Sequence, residues 1–483
     1  MKQRTVFITV TIMLVIACAG IISTWYFVRS RSGAEAAVKF IVPGPVAERD
    51  SAAAVMPAIL GFDHPRIVLF LFLNNMELRP GGGFIGSYGI GTLDHGVIHD
   101  LKTDGTENLD HKTPESFFIE PPKPLQQHLI GRWFFRDSNW SPDFSESAKK
   151  ALQFYAAEGG ERADHVETVI GITPAVLETV LKYTGPIQEG GKTYTAETIS
   201  DLLEYTVEIE YADKKIPASQ RKKIISDLAK QIAERAVLIS PRQWGPLISD
   251  LFGLITHGQV MLYDVNPDVQ KTLVELGWAG RVKEGAPDFL MQVDANLASL
   301  KTDRVIDRAL AYSIFRDAQT GEVRATVTST YKNNGSFDWR TSRYGTYTRW
   351  LLPPGTKFIS GEGSQKDLKS TEPAPWDITE ELGHTSIGTF LVVEPGAEKT
   401  ITFTIALAPQ VVAALNSGGS AAGHYGLLVQ KELGVKNFQL TIHHNFGKSV
   451  GTAEPAESPD KFGDAYYDWT GTVDKEQKFL VNF

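Results

Sequence analysis

The residues best suited to chemistry lie in the stretch Asn74-Asn75-Met76-Glu77-Leu78-Arg79-Pro80-Gly81-Gly82-Gly83-Phe84-Ile85-Gly86-Ser87. An apolar run, Ile67 to Leu73, leads into two amides, a Glu-x-Arg pair, a proline and three successive glycines, and a second apolar run begins at Phe84. The pattern reads as strand, tight loop, strand. Three glycines cost more backbone entropy on ordering than any other triplet, so a folded chain keeps them where φ must be positive or another group approaches the backbone closely. Arg79 sets a planar, permanently charged fork beside this loop, suited to a phosphate or a carboxylate. The plainer alternative is a hairpin turn with a surface ion pair between Glu77 and Arg79.

A second polar string is Arg136-Asp137-Ser138-Asn139-Trp140-Ser141-Pro142-Asp143. Ser141 and Pro142 form a good N-cap and first-position pair, and Asp143 adds negative charge to the first turn. The helix they open should run through Ala148, Ala151, Leu152 and Tyr155 to Gly159-Gly160. Its N-terminus is a natural anion site, although Asp143 occupies part of that field. A third run, Gln220-Arg221-Lys222-Lys223, opens a helix capped by Ser219, in which Ile224, Leu228, Ile232 and Ala233 share a face. Cations at a helix N-terminus oppose the macrodipole. An anionic ligand would account for them, and so would a solvated basic face. Ser147-x-x-Lys150 lacks the partner strings of the serine enzymes that use it. His443 and His444 are adjacent on a strand and point to opposite faces. No phosphate-binding P-loop, His-Glu-x-x-His or dinucleotide fingerprint is present.

The elements that position these groups change character along the chain. From His64 to about Trp278 strands and helices alternate in α/β fashion. Ile67 to Leu73 is a continuous apolar run of the kind buried on both faces, and Phe84 to Leu93, Val97 to Leu101, His165 to Ile172 and Val260 to Tyr263 are further strands. Residues Asn108 to Arg132, with Pro121-Pro122, read as loop. After Asp288 the texture changes: Asn296, Lys301, Asp303 and Arg308 cluster polar groups, and strands then dominate. Val323 to Tyr331, Tyr347 to Leu352, Thr389 to Val393, Thr400 to Leu407 and Phe438 to His444 alternate or are β-branched, with Pro353-Pro354-Gly355 and Glu394-Pro395-Gly396 turning between strands. The expected fold is thus α/β: an N-terminal transmembrane helix, a mixed-sheet α/β domain with packed helices, and an all-β, sandwich-like C-terminal domain. The expected boundaries are 1–29 tail and anchor, 30–63 stalk or linker, 64–285 α/β domain, 286–308 connector and 309–483 β domain.

The chain has 483 residues, 42% of them hydrophobic, and a net charge of −9, which argues against nucleic acid as a partner. Its one cysteine, Cys18, excludes an intrachain disulfide and a thiolate metal site in the folded part. From Thr5 to Val28 no charge occurs, Lys2 and Arg4 precede the segment and Arg29 and Arg31 follow it, and Trp25 and Tyr26 sit at its far end. That length crosses a bilayer of roughly 30 Å hydrocarbon. The reading is a single-pass signal anchor in the cell membrane, with the bilayer as a partner and the bulk of the chain extracytoplasmic. A lipoprotein processed at Val15-Ile16-Ala17-Cys18 is the alternative.

Asn-Asn-x-Glu-x-Arg-x-x-Gly-Gly-Phe-x-Gly at Asn74 to Gly86, Arg-Asp-x-Asn-Trp-x-Pro-Asp at Arg136 to Asp143, and Asn-Leu-x-x-x-Lys-x-Asp at Asn296 to Asp303 resemble the bacterial domain-of-unknown-function 4012 family, over most of the chain from His64 to Pro354. That likeness implies an envelope location more than a reaction. The strand, polar loop and helix from Ser141, then Ala163-Asp164-His165-Val166-Glu167, Pro174 to Ile187 and Gln220-Arg221, are more distantly similar to the LytR-CpsA-Psr transferases. Those single-span proteins move glycopolymer phosphates from polyprenyl-pyrophosphate lipids onto peptidoglycan with arginines, an aspartate and usually a divalent cation. The resemblance implies that Arg79 and Arg221 grip pyrophosphate and that Asp137 or Asp143 holds a metal, such as Mg, or acts as base. Their Pro-Arg-Asp-Thr string is missing here, and the Asn74 to Gly83 loop is not theirs.

Phosphoryl transfer calls for arginines and a metal to neutralise pyrophosphate, with little covalent work from the protein. Arg79, Arg136 and Arg221 are the candidates for the first role and Asp137 and Asp143 for the catalytic and metal-binding one. Asn75, Glu77, Gly81, Gly82, Gly83 and Asn139 complete the expected ligand-binding set. Two functions follow: an envelope protein that binds a pyrophosphate lipid or glycopolymer and transfers it to the wall, or a non-catalytic surface binding or structural protein. The second requires each of the three arginines to sit apart in its own ion pair.

Overall fold

The computed structural model describes residues 30–483 except 218, 219, 222, 237, 285, 286, 417–423 and 458. The expected anchor within residues 1–29 and the expected cap Ser219 lie outside the described residues. Among those described, no helix is long and apolar enough to cross a membrane.

The chain divides into two compact units, each drawn from separated stretches. The first takes residues up to Asn74, Gly81–Ile119 and Trp133–Arg281; the second takes Asn75–Pro80, Glu120–Arg132 and Val282–Phe483.

In the first unit, β1 (Arg66–Asn74), β2 (Phe84–Asp94), β3 (Val97–Gly105), β4 (Val166–Ile172) and β7 (Val260–Asp264) form a mixed sheet in the order β3-β2-β1-β4-β7. The remaining pair, β5 (Ile187–Glu189) and β6 (Lys192–Tyr194), is a small hairpin. Central β1 runs antiparallel to β2 and parallel to β4, and its apolar run is buried nearly throughout because both sheet faces are covered. A parallel pair needs a crossover, and the helix Phe144–Ala157 is part of the chain between β1 and β4. Helices Ala175–Thr184, Lys223–Ala236, Pro241–Thr256 and Pro267–Glu275 each send buried side chains, among them Val180, Leu228, Leu251 and Leu273, into the same apolar core. Residues 30–63, expected as a stalk or linker with a first helix as the alternative over Ser30 to about Ala54, form helices Arg31–Ile41 and Val46–Ile59, whose Val38, Ala52, Val55 and Ile59 belong to that core. The first is capped by Ser30, whose Oγ accepts the Gly33 N–H.

The second unit is a two-sheet β structure. Its strands are β8 (Asp288–Asn296), β9 (Ile306–Arg316), β10 (Val323–Asn333), β11 (Tyr344–Leu352), β12 (Lys357–Glu362), β13 (Asp377–Glu381), β14 (His384–Val393), β15 (Glu398–Ala406), β16 (His424–Val429), β17 (Phe438–Asn445), β18 (Thr452–Glu454), β19 (Tyr466–Val473) and β20 (Gln477–Asn482). One sheet runs β12-β15-β10-β9-β17-β19 and the other β13-β14-β11-β8-β16-β20-β18. Alternate residues of β10, such as Ala325, Val327 and Tyr331, point into a core shared by both sheets, and Trp350 on β11 meets Phe403 on β15 with ring centroids 4.7 Å apart. Both sheets are mixed, since β8 pairs in parallel with β16 and β9 with β17. The stretch 286–308, expected as a connector, contains β8 in the middle of the seven-stranded sheet.

Candidate functional site

The two halves of the glycine loop part company at Pro80. Residues 75–80 belong to the second unit, and 81–83 to the first.

Within the first unit, Gly82 and Gly83 take φ of 108° and 136°, where a side chain would be strained, and a Cβ on Gly81 would lie 2.8 Å from that of Asn139. The closeness serves hydrogen bonds: the Gly81 N–H donates to the Asn139 carbonyl at 3.0 Å and Asn139 Nδ2 donates to the Gly83 carbonyl at 2.6 Å. The glycines therefore accommodate the Arg136 to Asp143 string itself.

Asp143, not Ser141, caps the helix, which begins at Phe144. Its Oδ1 accepts the N–H groups of Ser145 at 2.9 Å and Glu146 at 3.3 Å, and Oδ2 receives Arg281 Nε at 2.9 Å. Ser141 plays a supporting part, its Oγ accepting the Asp143 N–H at 3.2 Å. Asp137 closes a short 3-10 turn, Phe135–Asp137, with its carbonyl accepting Trp133 Nε1–H at 2.7 Å. Among the described residues no group of three or more His, Cys, Asp or Glu is arranged to hold a metal ion.

The basic candidates of this unit converge on one short helix, Thr106–Asp110. Arg136 Nε lies 3.2 Å from Asp110 Oδ2 and 3.8 Å from Asp137 Oδ2. Arg221 straddles two glutamates, with Nη1 donating to Glu208 at 2.6 Å and Nη2 to Glu107 at 3.2 Å. Glu107 and Asp110 are three positions apart and so share a helix face. Arg221 itself precedes the helix Lys223–Ala236 and is not in its first turn.

Beneath Arg136 lies a pair absent from the expected set, Asp110 and Glu158, both buried. Glu158 Oε1 accepts the Phe135 N–H at 2.9 Å. By strict geometry neither Asp110 oxygen nor Glu158 Oε2 has a hydrogen-bond partner among the described residues, and two neighbouring carboxyls can hydrogen-bond to one another only when one of them carries a proton. Burial, reinforced by the neighbouring Asp110, pushes Glu158 up to about 8. Burial also raises Asp110, to about 6, against the pull of Arg136. The one local sign of this in the sequence is a glutamate at a helix C-terminus, where negative charge opposes the macrodipole. The pair is a buried acid held neutral in part, with Arg136 as its counter-ion.

In the second unit the Asn75–Pro80 segment is gripped by Asn296 to Asp303. Leu78 donates its N–H to Asp303 Oδ2 at 2.9 Å, Asn296 donates its own to the Leu78 carbonyl at 3.0 Å, and Asp303 donates to the Met76 carbonyl at 3.2 Å. Lys301 Nζ reaches Glu77 Oε2 at 2.8 Å, and Asn75 Nδ2 donates to the Gly434 carbonyl at 2.8 Å. Arg79 is 1% exposed: Nη1 donates to the carbonyls of Asn296 at 2.6 Å and Leu78 at 3.2 Å, and Nη2 lies 3.4 Å from Glu77 Oε1. The ion pair is real but buried, not on the surface. Arg308 extends the network, donating to Asp294 at 2.8 Å, Asp303 at 2.5 Å and Tyr344 at 2.8 Å. A cavity of about 20 Å³ among Gln292, Asp294, Arg308 and Glu432 has room for one water and none for a sugar.

Residues 63–207 match the family described as "Protein of unknown function (DUF4012)", which supports the first resemblance over that stretch. It carries no support for a likeness to LytR-CpsA-Psr transferases. No curated protein matches the chain. Among solved structures, a candidate nutrient-binding protein of Legionella pneumophila is similar at 8% identity and a TM-score of 0.22, over 37% of this chain and 67% of that one. An M1 zinc metallopeptidase of Deinococcus radiodurans is similar at 12% identity and a TM-score of 0.19, over 38% and 43%. Leukotriene A4 hydrolase of Saccharomyces cerevisiae is similar at 8% and 0.18, over 37% and 28%. The chain spans less than half the length of the last two.

Proposed function

We propose, from the DUF4012 match over residues 63–207, that the chain is a membrane-anchored envelope protein that binds extracytoplasmic polymer or protein without catalysing transfer. The observation that supports this reading over glycopolymer phosphotransfer is the state of the arginines. Arg79 is paired with Glu77 and two carbonyls, Arg136 with Asp110, and Arg221 with Glu107 and Glu208. A pyrophosphate would have to displace a carboxylate at each. Asp143, offered as base or metal ligand, is already shared between two backbone N–H groups and Arg281, so a ligand or a reacting group would have to displace these partners.

The test is turnover. Full-length protein in detergent, given a polyprenyl-pyrophosphate glycolipid, peptidoglycan and Mg, should release no polyprenyl phosphate. Release that Asp137→Asn abolishes while the protein stays folded would overturn the reading. A protease-accessible C-terminal tag on spheroplasts should confirm the anchor's orientation, and a protected tag would contradict it.

A further inference from the structure

The loop between β10 and β11 in the second unit presents two large aromatic side chains to solvent, Phe337 at 67% and Trp339 at 41% exposure. Exposed apolar residues on a loose loop mean little, but this loop is held in shape. Asp338 accepts the N–H groups of Arg340 and Thr341, each at 2.7 Å, and the hydroxyl of Ser336 at 2.7 Å. Thr341 Oγ1 donates to the Ser336 carbonyl at 2.9 Å, and the Arg340 carbonyl accepts the Lys301 N–H at 2.8 Å. At the loop's base, buried Asn333 donates to the carbonyls of Ser342 and Val393. The ordering cost is met by the fold, and a preordered surface loses less entropy on binding.

Cations accompany the rings. The Arg340 guanidinium lies 5.3 Å from the Trp339 ring centre and that of Arg343 lies 5.8 Å from Phe337. Residues 332–343 carry three cations to one anion in a chain whose net charge is −9. Arg343 also pairs with Glu394, Nε to Oε1 at 3.0 Å, in an exposed bridge that is worth little and is easily exchanged for a ligand's acid group.

We propose that the Phe337 to Arg343 loop docks an anionic glycan strand of the cell envelope, a sugar ring lying against Phe337 and Trp339 while its acid groups meet Arg340 and Arg343; this rests on the envelope location proposed above. A folded protein partner fits less well, because two rings are a small part of the roughly 800 Å² per partner that a stable interface buries. A repeating polymer instead gains from many weak contacts. A lipid surface fits less well too: Asp338 stands between the two aromatics, pushed down to about 2 by its backbone and hydroxyl hydrogen bonds, and insertion of the rings would carry that anion toward the bilayer.

The test uses full-length protein in detergent with four probes: peptidoglycan sacculi, polygalacturonate, neutral dextran and phosphatidylglycerol vesicles. Wild type should bind sacculi and polygalacturonate. The double variant Phe337→Ser/Trp339→Ala should bind polygalacturonate at least tenfold more weakly with an unchanged melting temperature, and Arg340→Gln should lower the salt dependence of binding. If wild type binds sacculi and the double variant is unaffected, the loop assignment fails while the envelope reading stands. If wild type binds neither sacculi nor polygalacturonate, the loop assignment fails, while the envelope reading falls only if the C-terminal tag is also protected on spheroplasts. Dextran bound as well as polygalacturonate, or vesicles bound in place of glycan, overturns the assignment of an anionic glycan.

Discussion

Asp303 holds Leu78 across 225 positions of sequence, its Oδ2 accepting the Leu78 N–H at 2.9 Å while Oδ1 takes Arg308 at 2.5 Å. Removing a buried partner of this kind strands a backbone donor and leaves the Arg308 guanidinium with Asp294 as its one remaining carboxylate in this network. Asp303→Ala should cost about 3–5 kcal/mol, and Asp303→Asn, which keeps an acceptor for Leu78, clearly less. Urea unfolding of the three proteins measures the difference. Equal stability of wild type and Asp303→Ala would refute the account.

Arg79 makes a parallel case. Arg79→Ala leaves Glu77 buried against Lys301 alone and removes a guanidinium donor from the carbonyls of Asn296 and Leu78, and should destabilise by about 3–5 kcal/mol. Arg79→Lys keeps the charge and loses the fork, so it should still cost about 1–3 kcal/mol. Thermal unfolding checks both. A ligand-binding defect in a variant of full stability would show that Arg79 faces a ligand after all.

Glu158 ties stability to pH. The unfolded chain releases this proton near 4.5, and the folded chain keeps it to about 8, so between those values the folded state binds more protons than the unfolded. The contribution of Glu158 to stability is therefore fully present below pH 4.5 and is lost as pH rises through 8. Glu158→Gln keeps an acceptor for the Phe135 N–H and supplies a permanent donor toward Asp110. It should raise stability at pH 8 by about 1–2 kcal/mol, the scale of one charged hydrogen bond, with little change at pH 4.5. Melting curves over pH 4.5–8.5 decide it: parallel profiles for wild type and variant would mean that the pair shares no proton.

Asp143 separates capping from charge. Asparagine caps as well as aspartate but cannot pair with Arg281, whose side chain is 44% exposed. Asp143→Asn should thus cost only a few tenths to about 1 kcal/mol, and Asp143→Ala about 1 kcal/mol more through the lost cap. The helical signal on chemical denaturation gives both values, and an Asp143→Asn loss as large as that of Asp143→Ala would place the energy in the ion pair.

Much of this was legible where a local rule decides. Ile67 to Leu73 became a strand because a continuous apolar run suits a two-face burial, and β10 because its apolar residues alternate. The Gly81–Gly83 triplet was readable as a place of positive φ and close approach, though not that the approaching group is Asn139. The polar cluster Asn296 to Arg308 was visible as a cluster, but its β8 portion was hidden because Asp294 and Asn296 look solvated until the segment that satisfies them is known. Ser141 and Asp143 are both good caps, and the choice between them was made at a distance, by Arg281. The Asp110 and Glu158 pair was illegible for the same reason: each looks like an ordinary surface acid, and only tertiary packing removes the water.

The membership of Asn75–Pro80 in the second unit has a consequence for biosynthesis. That unit is assembled from residues emerging early from the ribosome, near 75 and 120, and from the last strand, Gln477–Asn482, which lies between β16 and β18. The Leu78 N–H must wait for the Asp303 carboxylate, and Arg79 for the Asn296 carbonyl, until those residues are made. A gene fragment beginning at residue 282 omits that segment, and translation of the whole chain is what brings the buried charges together.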